Sequence, residues 1–250
     1  MIPTLNETKL TFKNIVNCVF DNKYKDVPTT QILEIFHKNS NELLKRWIDS
    51  KETDFSVYSD KKYCDDLLIC YYYVSKGSIV GALKWFEKNG VDISKLTCFE
   101  DYNGLGATTL HLIKSDFKTV CCFNDVKSQC AIACKLNDEF LIGSGKFSLH
   151  IKHRKDIPKT DVIFTLETVE HFKEPLKYIK ELTSKLNPNG YLIYGAGFKN
   201  MYPGHFTNYT CDGVEYSRAK ISRLCKKYLR EKFDLIYSGF NGKPTIYQLH

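Results

Sequence analysis

The chain has 250 residues, 43% hydrophobic, 26% charged and 14% aromatic, with a formal net charge of +7. That length accommodates one α/β domain with an appended helical segment, and the aromatic content argues against extensive disorder. No stretch approaches the roughly 18 successive apolar residues of a membrane-spanning helix, and residues 1–13 lack the apolar core of a signal peptide, so a cytoplasmic protein is expected. The ten cysteines form no CxxC pair and no zinc-finger spacing, which predicts reduced thiols.

Residues 1–95 read as a helical lobe. Thr29 and Thr30 precede Ile32, Leu33, Ile35 and Phe36, then Leu43, Leu44, Trp47 and Ile48, a spacing that gathers apolar side chains on one helical face. A second run over 63–74 and a third over 79–86 continue the pattern until Asn89-Gly90 stops it. From Leu96 to the C-terminus, residues 96–250, the grammar changes. Short apolar runs at 96–99, 120–123, 147–151, 162–166 and 191–194 alternate with helical patterns at 108–114, 128–136 and 175–186, which predicts parallel strands with crossover helices. Asn187-Pro188-Asn189-Gly190 is expected to turn into the fifth strand. An irregular stretch over 195–213, a helix over 214–231 and two strands, 233–240 and 245–249, complete the chain. Asn241-Gly242 is a hairpin signal between those last strands.

The most informative segment is Cys98-Phe99-Glu100-Asp101-Tyr102-Asn103-Gly104-Leu105-Gly106-Ala107-Thr108-Thr109. A strand running into close glycines and then a helix lets backbone amides approach a nucleotide-like ligand. A dinucleotide fingerprint needs a small third residue where this chain has Thr109, which weakens NAD and an oxidoreductase reading. Glu100, Tyr102, Gly104 and Gly106 instead resemble the E-x-G-x-G-x-G frame of class I S-adenosylmethionine (SAM) methyltransferases, with Tyr102 in place of the first glycine. In that frame the acid meets the ammonium end of SAM, and Asp101 competes with Glu100 for the part. At the next strand end, Asn124 and Asp125 stand where ribose hydroxyls are bound, although Asp125 as a helix cap explains the letters equally well.

Residues 161–175, with Leu166-Glu167-Thr168-Val169-Glu170-His171, are similar to the fourth-strand segment of SAM-dependent methyltransferases of the ubiquinone-biosynthesis O-methyltransferase type, in the type 11/12 group. Leu186-Asn187-Pro188-Asn189-Gly190-Tyr191-Leu192-Ile193 follows in register, similar to that family's approach to strand five. The resemblance covers about residues 96–195. It implies a Rossmann-like, seven-stranded, mostly parallel sheet with a C-terminal antiparallel hairpin behind the helical lobe. It also implies SAM as cofactor, with Leu166 and Glu167 beside it. Some relatives, including small-RNA 2′-O-methyltransferases, hold a divalent metal with a comparable segment. Glu167, Glu170 and His171, with His205 as a fourth ligand, match that spacing, but a metal is not favoured.

His205 lies in the aromatic loop 201–209 and is a candidate general base, or else a packing histidine. Glu170 and His171 are further catalytic candidates. The absence of a nucleophile elbow, a Walker A loop, an Asn/Asp-Pro-Pro-Tyr/Phe segment and a Pro-Cys motif argues against hydrolases, P-loop NTPases and ordinary DNA base methylation. The expected acceptor is an oxygen or nitrogen of a small molecule or modified nucleotide precursor. RNA or an unusual DNA modification is the alternative, suggested by basic residues at 152–155 and 218–232. An inactive SAM-binding scaffold also competes, because Tyr102 departs from the frame and Lys152-His153-Arg154 stands where an acid is expected after strand three. Sequence alone leaves the oligomeric state open.

Overall fold

A computed structural model of the protein describes residues 11–102, 104–141, 148–239 and 245–250. Four helices come first: α1 (Phe12–Val19), α2 (Thr29–Asp49), α3 (Tyr63–Val74) and α4 (Val80–Lys88). Helix α1 was not anticipated from the apolar pattern; the Thr11 hydroxyl caps it by accepting from the Asn14 N–H at 3.2 Å. Helix α2 buries Ile32, Phe36, Leu43 and Trp47, as its periodicity requires. A π turn, Ser75–Ile79, carries α3 into α4.

The alternating part follows as β1 (Thr97–Glu100), α5 (Ala107–Lys114), β2 (Thr119–Phe123), α6 (Lys127–Leu141), β3 (Ser148–Ile151), β4 (Thr160–Leu166), α7 (Pro175–Thr183) and β5 (Leu186–Gly195). Then come β6 (Asn208–Cys211), β7 (Val214–Ser217), α8 (Arg218–Lys232), β8 (Phe233–Tyr237) and β9 (Thr245–Leu249). Seven strands form one sheet in the order β3-β2-β1-β4-β5-β9-β8. Pairs among β1 to β5 are parallel, and β9 runs antiparallel to both β5 and β8. This is the Rossmann-like architecture that the alternation implied. Its strand order reverses between β1 and β4, and in open α/β sheets that switch point opens a crevice at the carboxyl ends of the strands.

Successive strand residues point to opposite faces. Cys98, Val162 and Ile193 join the helical lobe's Ile32, Phe36 and Leu68 in one buried cluster. Phe99, Ile163 and Leu192 join Tyr178, Ile179, Ile221 and Leu229 of α7 and α8 in the other. Covering on both faces explains why the strands read as continuous apolar runs rather than alternating ones.

Two expectations are corrected. The helix foreseen from residue 214 starts at Arg218, because residues 208–217 form a separate antiparallel hairpin, β6–β7. Its turn is Asp212-Gly213, both at positive φ (50° and 77°), a backbone suited to a two-residue hairpin. Residues 187–190 do not break the chain before strand five but lie within β5, where pairing jumps from Thr160↔Leu186 to Val162↔Tyr191. Asn103, Phe147 and the 241–244 hairpin signal lie outside the described residues. All ten cysteines are free thiols. Among the described residues no helix is long and apolar enough to cross a membrane.

Candidate functional site

The crevice holds three adjoining cavities. A small niche of about 70 Å³ lies at the end of β1 and is bordered by Glu100, Asp101, Tyr102, Gly104 and Leu166. A second cavity, about 410 Å³, extends toward β2 past Tyr102, Gly104, Asp125, Gln129 and Phe172. The third, about 360 Å³, lies on the β5 side against Asp66, His171, Asn200, Tyr202 and His205. Leu67 of α3 and Glu167 at the end of β4 border all three.

Backbone strain marks the switch point. Tyr102 and Glu167, just beyond adjacent strands, have φ of 52° and 53°, a left-handed conformation rare for such side chains. Gly104 also has positive φ (49°), and a Cβ there would come within 3.3 Å of a Leu67 methyl carbon. Glycine thus lets α3 close over the loop. Gly106, in contrast, starts α5 at φ 78° and borders none of the three cavities.

On the β1–β2 side, polar groups are largely spent on one another. Glu100 is buried and accepts a short hydrogen bond from the Thr109 hydroxyl; burial pushes its carboxyl up to about 8. Asp101 accepts from the Tyr178 hydroxyl at 2.5 Å and from the Thr165 hydroxyl at 3.2 Å, and burial raises it to about 6. The Arg154 guanidinium sits 4.1 Å from the centre of the Tyr178 ring and 4.7 Å from that of Phe172, a cation–π stack beside Asp101. Asn124 was expected to meet ribose, but its side chain holds the glycine loop. It donates to the Gly104 carbonyl (2.8 Å) and Gln129 Oε1 (2.9 Å), and accepts from the Val126 N–H (2.9 Å). Tyr102 does not fill the niche. Its ring packs edge-on against Phe123 and Phe172, and its hydroxyl donates to Asp125 Oδ2 at 3.3 Å.

The β4–β5 side is built around two carboxyls and two imidazoles. Burial raises both Glu167 and Glu170, and the hydrogen bond between them favours the proton on Glu170. Glu170 is fully buried, accepts from the Gly197 N–H, and leaves its Oε2 without a hydrogen-bond partner. A Cβ on Gly197 would collide with both carboxyls, so that glycine admits them to the backbone. Glu170, a catalytic candidate from the sequence, borders none of these three cavities. His171 and His205 meet edge to face with ring centres 4.6 Å apart. Burial lowers His205 to about 4 and holds His171 well below its ordinary value, so both are neutral at pH 7. His205 Nδ1 faces the Asn200 carbonyl at 3.0 Å, which assigns the proton to Nδ1 and leaves Nε2 as a lone pair.

The set Glu167, Glu170, His171 and His205 does not form a metal site in this structure. Among the described residues no three His, Cys, Asp or Glu side chains are arranged to hold an ion. Glu170 bonds the Gly197 N–H through Oε1 and His205 bonds the Asn200 carbonyl through Nδ1, while Glu170 Oε2 is left without a partner.

Several contributors gave no sequence signal. Trp47 Nε1 donates to the His205 carbonyl at 2.7 Å, and the Tyr58 hydroxyl lies 3.3 Å from His171 Nδ1. Asp66 borders the third cavity from α3. All three come from the helical lobe, and only long-range packing brings them here. Gly197 lies within the stretch read as irregular.

No protein-family model matches the chain, and no curated protein matches it. Among solved structures it is similar to magnesium protoporphyrin IX methyltransferase from Synechocystis PCC 6803 with bound SAM, at 13% identity over 84% of this chain and 95% of that one, TM-score 0.50. It is also similar to a SAM-dependent methyltransferase from Aquifex aeolicus (17% identity, 72% and 93% covered, TM-score 0.49). A third likeness is to ribosomal protein L11 methylase from Lactobacillus delbrueckii (18% identity, 72% and 79% covered, TM-score 0.47). At 13% identity the likeness to the Synechocystis enzyme shows the fold alone: the chain shares its Rossmann-like architecture.

Proposed function

We propose that the protein is a SAM-dependent methyltransferase acting on a neutral oxygen or nitrogen of a small molecule or modified nucleotide precursor. The observation that carries this reading is the adjacency of two unlike cavities across Glu167. One is a niche with a buried carboxyl and Gly104 at the end of β1. The other is a 360 Å³ chamber containing His205.

The residues present fit the cofactor with one adjustment. Glu100 faces the niche as the partner of a cationic ammonium, and a positive charge arriving there draws its carboxyl into the ionised form. The exposed Asp125 stands at the end of β2 for hydroxyl groups once the long contact from Tyr102 opens. When bound, SAM supplies a methyl group already activated on a positively charged sulfur.

The protein's own work is then alignment, exclusion of water and removal of one proton. Leu67 and Leu166 are apolar walls beside the reacting region. Held by Glu100 and Asp125, SAM would supply its methyl carbon to the acceptor's lone pair, the electron pair of the carbon–sulfur bond remaining on sulfur. The acceptor's proton passes to His205 Nε2, the free lone pair in the chamber. Among the described residues no Lys or Arg borders that chamber, and Asp66 and Glu167 do, which favours a neutral O–H or N–H group over an anionic one. Calorimetry with S-adenosylhomocysteine tests the reading. Binding that weakens sharply in Glu100→Gln is expected, and a folded protein that binds nothing rejects it. The hydroxyl of Tyr102 resting on Asp125 favours a second reading, a scaffold that no longer turns over, which the same titration followed by a methyl-transfer assay separates.

A further inference from the structure

Helix α8 holds seven basic residues, Arg218, Lys220, Arg223, Lys226, Lys227, Arg230 and Lys232, against the single acid Glu231. One helix of 15 residues therefore carries a net +6 in a chain whose total is +7. At about 100° per residue, Lys220, Arg223, Lys227 and Arg230 fall within an arc of roughly 80°. That arc lies opposite the buried stripe Ile221, Cys225 and Leu229, and all four cations are exposed.

Helix stability does not account for this stripe. The first turn contains Arg218 and Lys220 and no acid, the wrong sign for the positive end of a helix dipole. Among the described residues the helix makes a single ion pair, Lys227–Glu231 at 3.7 Å. A membrane surface is the weaker match, because the helix's apolar residues are in the core; the exposed Val214, Leu235 and Ile236 lie beyond its ends. The helix begins beside the chamber, through Arg218, which lies on the face opposite the stripe. Arg218 donates to the Asn200 carbonyl and contacts Met201 Sδ at 3.5 Å, and Asn200 borders the acceptor chamber with Tyr202 and His205. From Lys220 to Arg230 the stripe runs roughly 15 Å away from that edge. The described lining of the chamber carries Asp66 and Glu167 and no Lys or Arg, so a phosphate chain belongs on the stripe and only a sugar or base, carried round the start of the helix, belongs inside.

We propose that α8 binds the phosphate backbone of a single-stranded nucleic acid and presents one of its nucleotides to the acceptor chamber, in place of a free small molecule or nucleotide precursor. A single strand is required because a paired base cannot enter a recessed site without being flipped out. Delivery to the chamber rests on the methyl-transfer reading; binding to α8 does not.

The test is fluorescence anisotropy with a fluorescein-labelled single strand of about 20 nucleotides, across salt from about 50 to 200 mM. Wild-type protein should bind at low salt, with log affinity falling with log salt at a slope of about −3 for four phosphate contacts. The combined Lys220→Glu, Arg223→Glu, Lys227→Glu and Arg230→Glu protein should lose at least about tenfold in affinity and most of that slope. The same four changes to Gln, with folding checked by circular dichroism, should show a smaller loss. Absence of binding by the wild type at low salt, an unchanged affinity in both folded variants, or tighter association with phosphatidylserine vesicles than with the oligonucleotide overturns the proposal. S-adenosylhomocysteine affinity is measured on the same samples and should be equal in all of them. If no sample binds it while oligonucleotide binding behaves as stated, the methyl-transfer reading fails and the α8 site stands.

Discussion

The two halves of the crevice treat their polar groups differently. At the ends of β1 and β2, Glu100 is held by Thr109, Asn124 by Gly104 and Gln129, and Asp125 by Tyr102. At the end of β4 and in the loop after β5, Glu170 Oε2 has no partner and His205 keeps a free Nε2. Internal satisfaction stabilises a ligand-free fold but must be partly undone on binding, whereas an unsatisfied buried atom is a standing cost of about 1–3 kcal/mol. On the proposed function, the first half rearranges to receive its ligand and the second is preorganised.

The sharpest way to break this contrast is His205→Ala. If Nε2 takes the acceptor's proton, kcat should fall by roughly 10²- to 10⁴-fold while cofactor affinity stays unchanged. An unchanged kcat, once an acceptor is in hand, would return His205 to a packing role.

Glu100→Gln is expected to weaken S-adenosylhomocysteine binding by about tenfold or more, since it removes a charge-assisted contact in a buried niche. It also carries a pH signature. The folded-state pKa of about 8 lies above the ordinary 4.5, so the protonated carboxyl stabilises the fold. That contribution is complete below pH 4.5 and is lost as pH rises through 8. The buried His111 and His205, at about 4, titrate below the range from pH 6.5 to 8, and Asp65, Asp66 and Asp101, at about 6, complete their titration within its lower part in the wild type and the Gln variant alike. Between pH 6.5 and 8, urea unfolding of the wild type should lose stability with rising pH. The Gln variant should lack on the order of 2 kcal/mol of that loss.

Smaller effects sharpen the picture. Tyr102→Phe frees Asp125 at the loss of one long hydrogen bond, so cofactor affinity should rise about two- to fivefold. A decrease, read by the same calorimetry, would make that hydroxyl part of the binding site. Glu170→Gln imitates the protonated acid and should change stability by less than about 1 kcal/mol in urea unfolding. Glu170→Ala leaves a buried gap and should lose about 2–3 kcal/mol.

Much of the architecture was readable in order. The apolar runs of β1, β2, β4 and β5 and the intervening helices follow from period and spacing, because both faces of a parallel sheet must be covered. The β6–β7 hairpin was also written in the chain, as Asp212-Gly213 followed by the alternation of Val214 and Tyr216, but it was absorbed into the helix behind it. Site residues were less legible. The family resemblance nominated Glu167 and His171, and the aromatic loop nominated His205; all three border one chamber. The resemblance equally nominated Glu170 and Gly106, whose orientation depends on Gly197 and on the start of α5. Trp47, Tyr58 and Asp66 are invisible to local patterns, since they meet the site across 158, 113 and, for Asp66, comparable sequence separations.

Because Leu67 and Glu167 form a common partition, α3 cannot swing aside to empty one compartment without exposing its neighbours. Turnover in such a layout is expected to follow a compulsory sequence, the demethylated cofactor leaving last. Product-inhibition patterns should show S-adenosylhomocysteine competing with SAM but not with the acceptor.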